Sequence, residues 1–149
     1  RSFSFDSHVL LIWQSGESKH TSEYIDHPDW KSSITRAGDA AVDRLASKKW
    51  DVSIWNELLK EAQEFGRMSK MLEEPSRQSM LASVQSVINE LNLQSQVRAR
   101  LCMLGTSCVL LPTKADQPLD EDDLRQLSER LRSIDLDSFI TRIAPQRLA

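Results

Sequence analysis

The sequence predicts an all-α protein, a helical bundle of five to seven helices. Three observations carry that expectation. Apolar residues recur at spacings of three and four over most of the chain. Glycines and prolines number only four and five, too few for a turn-rich β-sandwich. The long segments between breakers are rich in helix-favouring residues and begin with capping side chains.

The elements follow in chain order. Asp6 is placed to cap a short helix carrying Val9, Leu10 and Trp13, with Gly16 to end it. The competing reading pairs Phe3 and Phe5 with Val9–Trp13 as a hairpin, because residues 2–5 alternate. A second short helix is expected over Lys19–Asp26, interrupted at His27-Pro28-Asp29, where Pro28 suits a first helical turn. Trp30, Ile34, Ala37, Ala41 and Leu45 then form one stripe on a helix ending near Lys48-Lys49. Asp51 caps the longest expected helix, more than 20 residues, with apolar positions from Ile54 to Leu72. Pro75 breaks it, since the residue before a proline resists the helical region.

The next helix buries Met80, Leu81, Val84, Val87, Ile88 and Leu91, and Asn92 can close it. Leu93, Val97 and Leu101 suggest another. Residues 107–111, Ser-Cys-Val-Leu-Leu, read as a short strand or extended segment. Asp120, Glu121, Asp122 and Asp123 open a further helix, where negative charge suits the helix dipole. Its Leu124, Leu127, Leu131 and Ile134 repeat like a coiled-coil seam and are the candidate surface for self-association or a partner helix. A last short helix carries Leu136, Phe139, Ile140 and Ile143 before Pro145. Residues 1–49 can be taken as an N-terminal helical region and 50–149 as an assembly region, or the whole as one compact domain. No internal repeat of useful fidelity is visible.

Composition excludes several classes of function. The net charge of −3 gives no strong field toward nucleic acid. Cys102 and Cys108 are too few for a disulfide scaffold and read as buried thiols. The apolar run Val9–Trp13 is far shorter than the roughly 20 residues that a membrane span needs, and it lacks the flanks of a signal peptide. The expected setting is therefore intracellular, cytoplasmic or nuclear, with no membrane partner. No glycine-rich phosphate loop is present. His8, His20 and His27 lie among acidic residues, and His20 with Glu23 could share a helix face. No ligand spacing repeats, so a solvated polar surface is expected there, with no metal and no cofactor. No serine or cysteine has the context of an activated nucleophile, and neither an enzyme nor a small-molecule substrate is expected.

Two signals point to duplex DNA. Residues 7–45 can be laid out as helix, turn, short helix, break and longer helix, the plan of a helix-turn-helix module. Lys31, Ser32, Ser33, Thr35 and Arg36 would then occupy the first turns of the recognition helix. Residues 30–70 carry eight Lys and Arg against six Asp and Glu, a net of +2. The second signal is a resemblance. Residues 89–101, from Asn89 to Leu101 and including Arg98-Ala99-Arg100-Leu101, follow an amphipathic helix after Pro75. This stretch resembles the closing segment of the phage P27-type terminase small subunits, with Asn92 where that family has glycine and Gln94-Ser95 where it has threonine-proline. Residues 30–101 can be aligned in this way. The resemblance implies a non-enzymatic, ring-forming subunit that recognises viral DNA for packaging. Ala46–Gln63 is also similar to one helix of the half-a-TPR repeats of RNA-processing scaffolds, which implies instead a helical protein-interaction module.

Overall fold

A computed structural model describes residues 2–16, 26–102 and 105–143. The fold is mixed, not all-α: four helices and a four-stranded antiparallel sheet replace the expected bundle. The elements are β1 (His8–Trp13), α1 (Pro28–Ala46), α2 (Trp55–Met68), α3 (Pro75–Glu90), β2 (Val97–Leu101), β3 (Ser107–Pro112), α4 (Glu121–Arg132) and β4 (Asp137–Arg142). Short 3-10 turns at Val52–Ile54 and Met71–Glu73 precede α2 and α3.

The sheet order is β2-β3-β1-β4. Without α1 and α2 the chain reads β1-α3-β2-β3-α4-β4, two split β-α-β units whose strands interleave, as in ferredoxin-like sandwiches. Helices α1 and α2 are an excursion between β1 and α3. Residues opposite each other in a ladder project from the same side of a sheet. Leu10 therefore shares a face with its partners Leu110 and Ile140, and Ile12 with Cys108. Met80, Val84, Val87 and Ile88 of α3 and Leu124, Leu127 and Leu131 of α4 close over that face and complete the core.

Three corrections to the helical expectation share one cause. Residues 8–13 form a strand, and its partners are β3 and β4, not residues 2–5. Residues 97–101 and 137–142 are strands as well. They join the apolar run at 107–111, which is an extended strand as expected and lies in the interior of the sheet. Each segment is short, and a short apolar run takes its conformation from the neighbours available to it. The expected helix beyond 20 residues is also cut. It ends at Met68, and Lys70 turns left-handed at φ 66° before the 3-10 turn. The expected short helix at 19–26 falls almost wholly outside the described residues.

Several local expectations do hold. Pro28 and Pro75 start α1 and α3, and the Asp120 carboxylate accepts from the backbone N–H groups of Asp122 and Asp123 at the start of α4. Asn92 closes α3 at φ 56°, where its short polar side chain tolerates the left-handed region. The Leu93 N–H then bonds back to Ile88 O at 3.0 Å. Asp135 repeats this turn after α4 at φ 63°, with Leu136 N–H on Leu131 O at 3.0 Å. Both turns drop a buried leucine into the core and aim the chain at a strand.

One buried charge ties the excursion to this framework. Arg77, at the first turn of α3, is 0% exposed. It pairs with Glu74, and its Nε and Nη1 donate to the carbonyls of Gly105 and Met71. Truncation would leave those acceptors buried and the carboxylate without its counter-ion. Arg77→Ala should cost on the order of 3–5 kcal/mol in urea denaturation. Leu127→Ala, which opens a void between α4 and the sheet, should cost about 3 kcal/mol. A loss below 1 kcal/mol in either would contradict these packing assignments.

Candidate interaction surface

The other face of the sheet is built from the alternate residues of the same strands. It carries Val9, Leu11 and Trp13 of β1, Val109 and Leu111 of β3, and Phe139 and Thr141 of β4. Exposure rises away from β2. Leu11 is 37%, Trp13 39% and Phe139 61% exposed. Leu11 sits opposite both Val109 and Phe139, so the three form one apolar row across the sheet. Trp13 lies opposite Asp137, whose Oδ2 accepts from Ser15 Oγ at 2.6 Å. Contiguous apolar side chains on an open sheet, with few charges among them, are the composition of a protein contact.

The β2 side of the sheet differs. Helix α2 lies against β2, Arg100 Nε donates to Leu59 O at 2.7 Å, and Trp55 Nε1 donates to Pro112 O at 2.8 Å. The Phe5 ring meets Trp55 edge-on, with centroids 4.7 Å apart. Arg98 and Arg100 turn back onto the strand itself: each Nη1 donates to the preceding carbonyl, Val97 O at 3.0 Å and Ala99 O at 2.8 Å. Burial, and then the neighbouring Arg98 charge, hold the Arg100 guanidinium below its ordinary pKa. These arginines line a polar groove with Gln63, Gln85 and Gln94.

The residues singled out from sequence fall elsewhere. Lys31, Ser32, Thr35 and Arg36 are exposed on α1, while Ser33 is buried and unavailable to a base edge. The helix-turn-helix plan fails at its first element, because residues 8–13 are a strand of the sheet. Helix α1 carries Lys31, Arg36 and Arg44 against Asp29, Asp39 and Asp43, and Arg44 is held by Glu61 in a two-pronged pair, so no basic stripe runs along it. Leu124, Leu127 and Leu131 are all 0% exposed and belong to the core; of the four seam residues only Ile134 reaches the surface. Sequence reasoning missed Leu11, Trp13 and Phe139 as a surface, because it placed Phe139 on a helix and left Val9–Trp13 between a helix and a hairpin with residues 2–5. The alternation of Val97, Ala99 and Leu101 with two arginines was the readable sign of a sheet.

Among the described residues, no three His, Cys, Asp or Glu side chains converge as a metal site requires. No helix of the described residues is long and apolar enough to cross a membrane. Cys108 is enclosed in the core, and burial pushes its thiol up to about 12. A thiol of that pKa is almost wholly protonated at pH 8, and the thiolate is the reactive form. Cys108 should therefore resist iodoacetamide in the folded protein and label fully in denaturant; rapid labelling at pH 8 in native buffer would contradict its place in the core. Comparison with protein-family models, with curated proteins and with solved structures finds no match for this chain.

Proposed function

We propose that this chain is a non-catalytic assembly module that binds protein through the open half of its sheet. The observation that carries the reading is the row Val109, Leu11 and Phe139, beside Trp13, exposed on a face whose opposite side is sealed by two helices. A folded chain that leaves Phe139 61% exposed beside Leu11 and Trp13 keeps an apolar patch of the kind that partners cover. Aromatic residues at the centre of such a patch supply most of the binding energy, and small polar surroundings exclude water around them. Of the functional classes the sequence suggested, this one keeps the oligomerising or adaptor role and moves it from a leucine seam to a sheet. It does not call on the charge-balanced helix α1.

The test is photo-crosslinking of the full chain from a benzophenone-bearing phenylalanine analogue at position 139, with position 42 on α1 as control. We expect saturable protein adducts from position 139, reduced about tenfold or more by Leu11→Asp, and only diffuse labelling from position 42. Equal adducts from the two positions, or adducts indifferent to Leu11→Asp, would sink the reading.

A further inference from the structure

The two edges of the sheet are treated differently, and the difference identifies the partner. Peptide groups alternate in direction along an antiparallel strand, so one observed bond fixes the parity of the whole strand. The Ile143 N–H bonds to Ser7 O at 3.0 Å. The peptide groups of Asp137, Phe139 and Thr141 therefore face β1, and those of Ser138, Ile140 and Arg142 face outward. Among the described residues no strand pairs with that outer edge. At the opposite edge, Arg98 and Arg100 occupy the carbonyls of Val97 and Ala99 and α2 lies alongside. Such devices protect an edge strand against unwanted pairing. Among the described residues the β4 edge has none of them beyond the ion pair of Arg142 with Asp6 at its end.

Building on the reading of the open sheet as a protein contact, we propose that the partner is a second copy of this chain. The copies pair antiparallel through their β4 edges, joining two four-stranded sheets into one. Two features favour a copy over an unrelated extended peptide. The first is charge: β4 begins with Asp137 and ends with Arg142, both exposed, and carries no other charge. Antiparallel self-pairing sets the acidic end of each strand near the basic end of the other, on opposite faces of the joined sheet, and keeps the two Asp137 carboxylates apart, whereas parallel pairing sets them side by side on one face. The second is position. Phe139 lies on the open face near the middle of the strand, with its peptide groups turned inward. In the register centred on it, the two copies of Phe139 meet directly as a non-hydrogen-bonded pair, the closer of the two pair types. Ser138 then pairs with the second copy's Ile140 through the outward peptide groups. A two-fold axis through that point makes the contact isologous and closed, so it stops at a dimer. The apolar rows of the two copies become one continuous surface, and the two Phe139 rings pack side by side at its centre.

The test uses the full chain. Sedimentation velocity over a concentration series should give a dimer, and hydrogen exchange should slow with concentration at the amides of Ser138, Ile140 and Arg142. The amides of Phe139 and Thr141 should be protected throughout, because they bond to β1. Phe139→Asp should weaken the dimer about tenfold or more while leaving the circular dichroism of the monomer unchanged. A monomer at every concentration, or a dimer whose three outward amides still exchange freely, would overturn the proposal. A strict monomer that nonetheless gives Leu11-sensitive adducts from position 139 would remove self-pairing alone; loss of those adducts as well would remove the parent reading with it.

Discussion

Everything in this fold hangs on the double pairing of β1. The strand uses both of its edges, one toward β3 and one toward β4, and has Leu10 and Ile12 on the helix-covered face, at 0% and 1% exposure. Fully burying each such side chain is worth roughly 1.5–3 kcal/mol, but the topological effect is larger. Without β1 the sheet separates into a β2-β3 hairpin and a lone β4, and neither α3 nor α4 has a continuous floor to lie on. Even the loop before α4 is anchored here, since the Leu119 N–H bonds to the buried Ser7 hydroxyl at 3.1 Å.

The excursion of α1 and α2 is attached by other means. Its links to the sheet are polar and specific: Trp55 on Pro112, Arg100 on Leu59 and the buried Arg77 near its exit. Helix α1 is more loosely held. Among the described residues the one element it packs on is α2, where Gly38 faces Phe65 and Arg44 grips Glu61, and only Ser33 and Ala37 along its length are buried. A helix with so little buried apolar area opens at lower free energy than the core it decorates. The domain is thus a firm sandwich with a softer appendage, and the apolar row on the open face stands on the firm part.

What could be read from the sequence divides along a physical line. Helix ends were legible because they are set locally: Pro28, Pro75, Asp120 and Asn92 do their work within a few residues of themselves. Apart from the run at 107–111, strands were not, because their hydrogen bonds lie up to 136 positions away, as the Ile143 N–H on Ser7 O shows. Leu136, Phe139, Ile140 and Ile143 have helical spacing and still form a strand edge, since Ile140 packs inward while Phe139 points out. The repeat that sequence comparison of the two halves did not reveal is a repeat of geometry. Asn92-Leu93 and Asp135-Leu136 perform the same left-handed turn after α3 and α4, with almost no other identity around them. The association surface was illegible for the same reason as the strands, because a residue's face is defined only once its ladder exists. Arg98 and Arg100, singled out from sequence only within a family resemblance, cover the carbonyls of their own strand.

The position of β1 in the chain also orders events in time. It precedes every other element, yet its neighbours β3 and β4 lie about a hundred residues further on. During synthesis from the N-terminus its run of valine, leucines, isoleucine and tryptophan has no strand partner until β3 emerges, and its second edge stays open until β4 follows. Pairings of such long sequence separation are slow to form because the loop-closure entropy comes first. The α1–α2 excursion lengthens that wait. It also supplies local helical structure, which forms on a shorter timescale than strand pairing across the chain.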